Sequence, residues 1–401
     1  MKVGVIGGGP VGTTTGILLK KQCPEIEVHV FEQRPKFTRS QILLLDQNTW
    51  KLFPDTLRDI LKPEGCFVQR PPVDTTARCY REPSGSGKRS LLFSIRISIL
   101  EQALWNYAKH LGVKMHRPRK EKREITISDP RLKDFDILIG AGGKRDILRK
   151  YLNIPVHETP VSTAVILTWE PSENVSYKSR SSSGVDRRRS SQDRYRMFRS
   201  PATNYYATIQ LTPKEARLME KQGQVNQLSD IRDESILKAF ENLFKYYNLR
   251  DLPEDGNIMT VPITLYYAPS SVGVARLPRA KSDTLMFLVG DAVNGVHFFS
   301  GTGVNTGIKM ASTVADAICH MQRGKWTVKK AVSHVKKHIG EYIDQAREKS
   351  TDVILNSDAL GECSKKTVKE LRKIAIQKNY AGIHNLSKND MCLVMGDEFV
   401  E

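Results

Sequence analysis

Long apolar runs are missing from this 401-residue chain: no stretch of eighteen or more apolar residues occurs, so no helix is expected to cross a membrane. Paired cysteines are missing too. The six, Cys23, Cys66, Cys79, Cys319, Cys363 and Cys392, form no CxxC pair, and no histidine cluster completes a zinc spacing. The expectation is therefore no metal site and reduced thiols in an intracellular protein, cytoplasmic or nuclear. Acidic residues are in short supply, 44 against 62 Lys and Arg. The net charge of +18 favours polyanionic partners, nucleic acid or an acidic protein surface. With 27 Gly, 19 Pro and 39% hydrophobic residues, a collagen-like or wholly disordered chain is excluded. The length exceeds one average domain and predicts two or three units. The apolar N-terminus is interrupted at once by glycines, which argues against a signal peptide.

Those glycines sit in a specific context. Lys2 to Ile6 reads as a buried strand, followed by Gly7-Gly8-Gly9-Pro10-Val11-Gly12 and an apolar-periodic helix from Thr13 to Leu19. A second strand, Glu27 to Phe31, ends at Glu32. This is strand, G-x-G-x-x-G, helix, strand, acid, the pattern that binds a dinucleotide. Gly7 allows the tight turn, Gly9 lets the backbone approach a pyrophosphate, and Gly12 lets the helix pack on the strand. The helix N-terminus offers N–H groups to the phosphates, and Glu32 would take the adenosine ribose hydroxyls. An acid there argues against a ribose 2′-phosphate at this site, but the pattern does not separate NAD from FAD.

Later, the apolar strand Leu285 to Val289 leads into Gly290-Asp291-Ala292, then Gly301-Thr302-Gly303-Val304-Asn305-Thr306-Gly307 and an apolar helix through Ile318. Here the sequence resembles the group A flavin-dependent monooxygenases, the single-component aromatic-hydroxylase type. Within that group it looks most like the flavoprotein monooxygenase domain of MICAL enzymes. The resemblance implies FAD as cofactor, with Asp291 accepting from a ribityl hydroxyl. It also implies Gly301, Gly303, Val304 and Asn305 at the flavin pyrimidine edge, where the following helix would oppose charge on the reduced ring. The segment Phe31 to Gln41 is similar to the stretch after the ribose acid in that family. Arg34 and Arg39 are its cofactor candidates, and Arg39 is assigned as the arginine that reaches the cofactor. Arg96, ahead of a helix running to Leu111, matches the family's arginine-led helix beside FAD. Phe135 to Arg145 matches a third motif, a strand followed by Gly-Ala-Asp-Gly. The likeness covers about residues 1 to 345, with the motifs in order.

The departures are Gly142 in place of the third motif's Asp, Val293-Asn294 where relatives often have Ala-His, and Phe299 where a Pro is common. The family associates the missing carboxylate with both FAD and reduced nicotinamide, which bears on NAD(P)H as reductant. In the chemistry the resemblance implies, reduced flavin and oxygen form a C4a-hydroperoxide that the protein positions and shields from water. No catalytic triad is expected. His297, between two flavin motifs, is the one catalytic candidate. Ser84 to Arg89 resembles a P-loop without its hydroxyl residue and reads as a hairpin turn. The four tryptophans are isolated, without a halogenase's paired-Trp motif.

The predicted domains are an FAD-binding domain over 1–155 and 277–350, interleaved with an α+β substrate domain over 156–276. Strands are expected at Val161 to Thr168, Asn204 to Leu211 and Met259 to Tyr267, and a helix from Ile231 to Tyr247. In the family this interval covers the isoalloxazine, so Tyr205, Tyr206, Tyr266, Tyr267, His297, Phe298 and Phe299 are pocket candidates, although a half-buried strand tyrosine is the commoner reading. A basic loop over 178–200 carries eight Lys and Arg against two Asp between Lys178 and Arg199. It reads as a solvated insertion or as a clamp for a polyanion, and the MICAL resemblance favours an acidic protein.

Trp326 to Ala346 reads as an amphipathic helix, followed by a linker over 351–362 and a small all-α module over 363–401. With Val368, Leu371, Ile374, Ala375, Leu386, Ser387, Lys388 and Leu393, that module resembles the SAP or Rho N-terminal type, which binds DNA or RNA. Lys365, Lys366, Lys369, Arg372, Lys373 and Lys388 are its phosphate-contact candidates. The whole reads as an α/β Rossmann-type FAD-dependent oxidoreductase, a monooxygenase acting on an aromatic small molecule or a protein side chain. A second reading is a nucleic-acid-associated or particle-forming protein, viral and virion-associated in one version, on a flavoprotein scaffold with reduced or absent turnover.

Overall fold

A computed structural model describes residues 1–69, 91–169, 195–199, 205–223, 225–246, 253, 256–278, 280, 282–296, 301–355 and 366–377. The chain divides into two compact units. The first takes the described residues of 1–158 and 265–347, and the second takes those of 159–264 and 348–377.

The first unit is built on a six-stranded sheet ordered Val272–Ala275, Thr284–Leu288, Ile137–Gly140, Lys2–Ile6, Glu27–Phe31, Lys114–His116. The Val272–Ala275 strand runs antiparallel to its neighbour and every other pairing is parallel. Ile137–Gly140 and Thr284–Leu288 are buried along their whole length, as central parallel strands covered on both faces must be. Helices Pro10–Gln22, Ile97–His110 and Gly303–Gln322 pack in this unit, the first against both of the others. Sheet and helices bury one apolar core that includes Val5, Ile17, Leu104, Leu138, Phe287 and Ile318.

A three-stranded antiparallel sheet, ordered Ile42–Asp46, Leu91–Arg96, Cys66–Gln69, was not foreseen. Its core is a cluster of Trp50, Phe67 and Phe93, with Trp50 and Phe93 ring centroids 4.1 Å apart. The helix expected to end at Ala346 runs Val328–Leu355. The first five residues of the expected 351–362 linker, Thr351 to Leu355, are therefore helical; the polar stretch that suggested a break begins only at Asn356.

In the second unit, Tyr205–Gln210 pairs antiparallel with both His157–Trp169 and Tyr195–Arg199. The strands His157–Trp169 and Asn257–Tyr267 each run across the unit boundary. Helices Pro213–Gln222 and Glu234–Tyr246 close a separate core containing Leu167, Ile209, Phe240 and Leu243. The first of these helices went unread, although Thr212 and Glu215 form its capping box and Pro213 opens it. Arg196 and Arg199 had been counted in the basic loop. They lie on the Tyr195–Arg199 strand, in register with Thr208 and Tyr205, so ladder pairing prevails over local charge. The rest of that loop lies outside the described residues.

Candidate dinucleotide site

The glycine loop is tied into the sheet by the Gly7 N–H, which donates to the Phe31 carbonyl at 2.8 Å. Gly7 has φ +115°, a conformation side chains rarely adopt, and a Cβ there would sit 2.3 Å from the Ala141 carbonyl oxygen. A Cβ on Gly12 would lie 1.9 Å from the Gly7 carbonyl oxygen, whereas one on Gly9 would find nothing nearer than 3.7 Å. Gly7 and Gly12 are thus required by packing, whereas a methyl at Gly9 would make only ordinary contacts, with the side-chain ends of Arg39 and Glu101. Helix Pro10–Gln22 begins there with Gly9 as N-cap and no side-chain cap hydrogen bond at its positive end.

Glu32 lies at the end of the adjoining strand, 5% exposed. Its Oε1 accepts from the Arg34 backbone N–H at 2.8 Å and from Arg34 Nε at 2.9 Å. Its Oε2 accepts from the Gly8 N–H at 3.1 Å and from Arg34 Nη2 at 3.0 Å. Burial pushes the Glu32 pKa up, but these partners outweigh it and hold the carboxyl below its ordinary range.

Arg34 Nη2 also donates to Glu101 Oε1 at 3.0 Å, and Arg39 donates to the same oxygen. Glu101 is fully buried, its Oε2 has no partner, and its Oε1 lies 3.8 Å from where a Gly9 Cβ would be. Sequence reasoning missed this residue. The available signal was an acid on the apolar stripe formed by Ile97, Leu100, Leu104, Trp105 and Ala108, a place that demands a cationic partner. Arg96 ends the neighbouring strand in register with Ile42, and the Ser98 N–H donates to the Arg39 carbonyl. The Arg39 and Arg96 segments therefore run side by side.

Asp291 combines solvent access with dense protein surroundings. Desolvation raises its pKa, and the charge of Arg39 acts against that rise. Asp291 is exposed, and Arg39 is the cation whose charge reaches it. Tyr266 fixes the loop by donating from its hydroxyl to the Asp291 carbonyl at 2.6 Å.

The second glycine loop has Gly301 at φ +61° with nothing within 4 Å of a Cβ there. Val304 packs against the core. Asn305 is occupied as a strut: its Nδ2 donates to the Leu44 and Gly301 carbonyls at 2.8 Å, and its Oδ1 accepts from the Asp46 N–H at 2.8 Å. Lys309 Nζ meets Asp46 Oδ2 at 2.9 Å. Burial pushes the Asp46 pKa up, and Lys309 together with the Thr49 N–H outweighs it and draws the carboxyl down.

Gly142 is held by an acid four residues along the chain. Asp146 Oδ2 accepts from the Gly142 N–H at 2.8 Å, while Oδ1 caps the next helix through the Leu148 and Arg149 N–H groups. A Cβ on Gly142 would come 2.9 Å from that Oδ2, so the space is taken. Burial raises the Asp146 pKa against these three donors.

His297, Phe298 and Phe299 lie outside the described residues, as do Lys365, Lys388 and the second helix of the expected tail module. Tyr266 and Tyr267 belong to the first unit, and Tyr205 and Tyr206 to the second. Tyr267 stacks on His157 at 4.8 Å; Tyr206 is buried, and desolvation raises its pKa. The tail's first helix is Val368–Gln377, on which Leu371 and Ala375 are buried while Lys369, Arg372 and Lys373 are exposed. Lys366 precedes it, half-buried. Among the described residues there is no cluster able to hold a metal ion and no helix long and apolar enough to cross a membrane.

The sequence matches no protein-family model and no curated protein. Solved structures do resemble it. Tetrameric 2-methyl-3-hydroxypyridine-5-carboxylic acid oxygenase aligns at 15% identity and TM-score 0.58, over 88% of this chain and 91% of that one. PqsL from P. aeruginosa, solved in complex with 2-aminobenzoylacetate, gives 16% and 0.59, over 89% and 97%. The flavin-dependent monooxygenase PieE, solved with FAD and substrate, gives 16% and 0.58, over 99% and 72%. This chain is therefore an α/β protein with the fold of these structures, the flavin-dependent monooxygenase PieE among them.

Proposed function

We propose that the chain is an FAD-dependent oxidoreductase of the monooxygenase type. The observation that carries this reading is the convergence, within one compact unit, of the uncapped helix start at Gly9, the Arg39–Glu101 pair and the Asp291 carboxyl that Arg39 faces. The Gly9 cradle, the unpartnered Glu101 Oε2 and the exposed Asp291 carboxyl fit a large anionic dinucleotide with hydroxyl donors. Bound FAD would supply two-electron redox chemistry, taking a hydride and passing electrons to oxygen. The helix N-terminus and Arg39 would hold the pyrophosphate, and Asp291 would accept from a ribityl hydroxyl. The Gly301–Gly303 backbone would approach the flavin ring, with Asn305 bracing that loop against the Ile42–Asp46 strand. NAD(P)H is the candidate reductant, although Gly142 stands where the motif has an Asp.

The substrate class is an aromatic small molecule or a protein side chain. Two neighbours carry names that specify aromatic small molecules, which favours the first. The test is the visible absorbance of the purified chain, identification of the flavin released on denaturation, and anaerobic titration with NADPH and NADH. A yellow protein that releases FAD and is bleached by either nucleotide supports the reading. A colourless chain that takes up no FAD refutes it.

One observation favours a second activity. The exposed Lys369, Arg372 and Lys373 share a face of the Val368–Gln377 helix, a spacing suited to successive phosphates of DNA or RNA. Nucleic acid is thus a candidate partner alongside the redox substrate.

A further inference from the structure

The segment from Gly290 to Val296 lies between the starts of the two helices that follow the glycine loops. At its beginning, a Cβ on Gly290 would meet Val11, in the first turn of helix Pro10–Gln22, at 3.2 Å. At its end, the Val296 side chain comes within 3.3 Å of where a Cβ on Gly303 would be, the first residue of helix Gly303–Gln322. The two helix starts also touch directly: a Cβ on Gly307 would meet Val11 at 2.5 Å and Gly290 at 3.2 Å. Asp291 is the one exposed residue of the segment.

Asn294 sits in the middle of it and is 4% exposed. Neither its amide oxygen nor its amide nitrogen meets a hydrogen-bond partner among the described residues. Its backbone is fixed, because Asn294 and Gly295 pair antiparallel with Tyr267 and Tyr266. The Tyr266 ring fills the space over Gly295, 1.9 Å from where a Cβ would be, and its hydroxyl holds the Asp291 carbonyl. Successive strand residues point to opposite faces, so the Asn294 side chain is turned away from that ring. A buried amide with both groups unpaired is destabilising, and folded chains keep one where a bound molecule completes it.

We propose that Asn294 is a flavin-positioning residue whose amide hydrogen-bonds the polar edge of the isoalloxazine, accepting from a ring N–H and donating to a ring carbonyl. The proposal rests on the FAD reading of the site. An amide presents an acceptor and a donor side by side, and the pyrimidine half of the flavin ring carries the matching pair. Phosphate oxygens only accept, so the pyrophosphate could not satisfy the Asn294 oxygen. This is also the position at which the sequence departs from relatives that often have histidine. What an imidazole nitrogen offers changes with its protonation, whereas an amide offers both groups at every pH and stays uncharged.

The test compares the full chain with Asn294→Leu and Asn294→Ala, each freed of flavin. Melting temperature is measured, followed by titration with FAD and with ADP-ribose, which lacks the flavin ring. Both variants should lose FAD affinity at least about tenfold, while ADP-ribose affinity stays within about twofold of the parent. Flavin-free Asn294→Leu should melt no lower than the parent, because a branched apolar side chain replaces two unpaired polar groups. Asn294→Ala, with less bulk, gives the same affinity comparison if leucine disturbs the segment. FAD affinity unchanged in both variants overturns the proposal, as does an equal loss for FAD and ADP-ribose. A parent chain that itself takes up no FAD refutes the cofactor reading, an outcome told apart from the others because it appears before any substitution.

Discussion

Arg39 donates to the buried carboxylate of Glu101, 62 residues further along the chain, and Arg34 donates to the same oxygen. One acid therefore gathers two guanidinium groups, one of them beside Gly9 of the glycine loop. Replacing it by an amide leaves both cations without their shared counter-charge. Glu101→Gln should cost about 2 kcal/mol, less than a fully buried pair would lose, because Arg34 and Arg39 remain 27% and 40% exposed. Urea denaturation measures the loss, and FAD affinity should fall roughly tenfold as Arg39 loses its anchor. A variant as stable and as tightly flavinated as the parent would show that Glu101 positions nothing.

The two helix-side glycines should respond in opposite ways to the same methyl group. At Gly12 the added Cβ meets a backbone carbonyl at 1.9 Å, which cannot yield without separating the helix from the sheet. Gly12→Ala should destabilise the chain by roughly 3 kcal/mol. At Gly9 the nearest atoms are side-chain ends at 3.7 and 3.8 Å, so Gly9→Ala should fold normally. It should lose FAD affinity about tenfold, because the methyl occupies the approach to the helix N-terminus. Melting curves together with flavin content separate the two outcomes.

Asp291 carries a pH signature whose sign is fixed by its surroundings. Desolvation raises its pKa in the folded state and Arg39 only partly opposes this. The folded chain therefore binds the proton more tightly than the unfolded one, and stability falls as pH rises from the ordinary carboxylate range through the folded pKa. Glu32 and Asp46 act with the opposite sign. Their folded pKa values are lowered, so their contribution is present above the ordinary carboxylate range and is lost as pH falls through it. Asp291→Asn isolates the first effect. The variant should melt about 1–2 °C above the parent at neutral pH, a small gain because solvent reaches this carboxyl, and the gap should close as pH falls. Its FAD affinity should drop at the same time. A gap that is constant with pH would show that the carboxyl is not strained by burial.

Local pattern made the first unit legible. The strand limits Lys2–Ile6 and Glu27–Phe31 are those the sequence suggests, because a strand, a glycine turn and a helix follow one another without interruption. Motif order made Asp291 and Arg39 candidates for one cofactor, and the charge of Arg39 does reach Asp291. Non-local pairing did not reveal itself in this way. Asn305 was expected at the flavin, yet its amide is taken up by Leu44, Asp46 and Gly301, partners more than 250 residues away in two of the three bonds. Asp146 as the acceptor that ties the Gly142 N–H to the start of the next helix escaped notice because a motif is read at fixed positions, whereas a side chain bonds whatever backbone groups fold against it. Glu101, with Arg34 and Arg39 as its partners, was hidden for the same reason: its meaning comes from which segments fold together.

The basic face of the Val368–Gln377 helix can be tested without disturbing its packing, since Leu371 and Ala375 supply the buried contacts and Lys369, Arg372 and Lys373 are exposed. If these cations meet a nucleic-acid backbone, each phosphate contact contributes about 0.9 to the slope of log affinity against log salt. Lys369→Ala/Arg372→Ala/Lys373→Ala in the full chain should then reduce that slope by roughly 2 to 3 and weaken binding at low salt, with little dependence on sequence. Fluorescence anisotropy with labelled duplex DNA and single-stranded RNA over a range of salt concentrations reads both quantities. Flavin content should stay constant, because these residues are remote in sequence from the glycine loops and belong to the other unit. An unchanged slope would mean that the net charge of +18 acts elsewhere on the molecule.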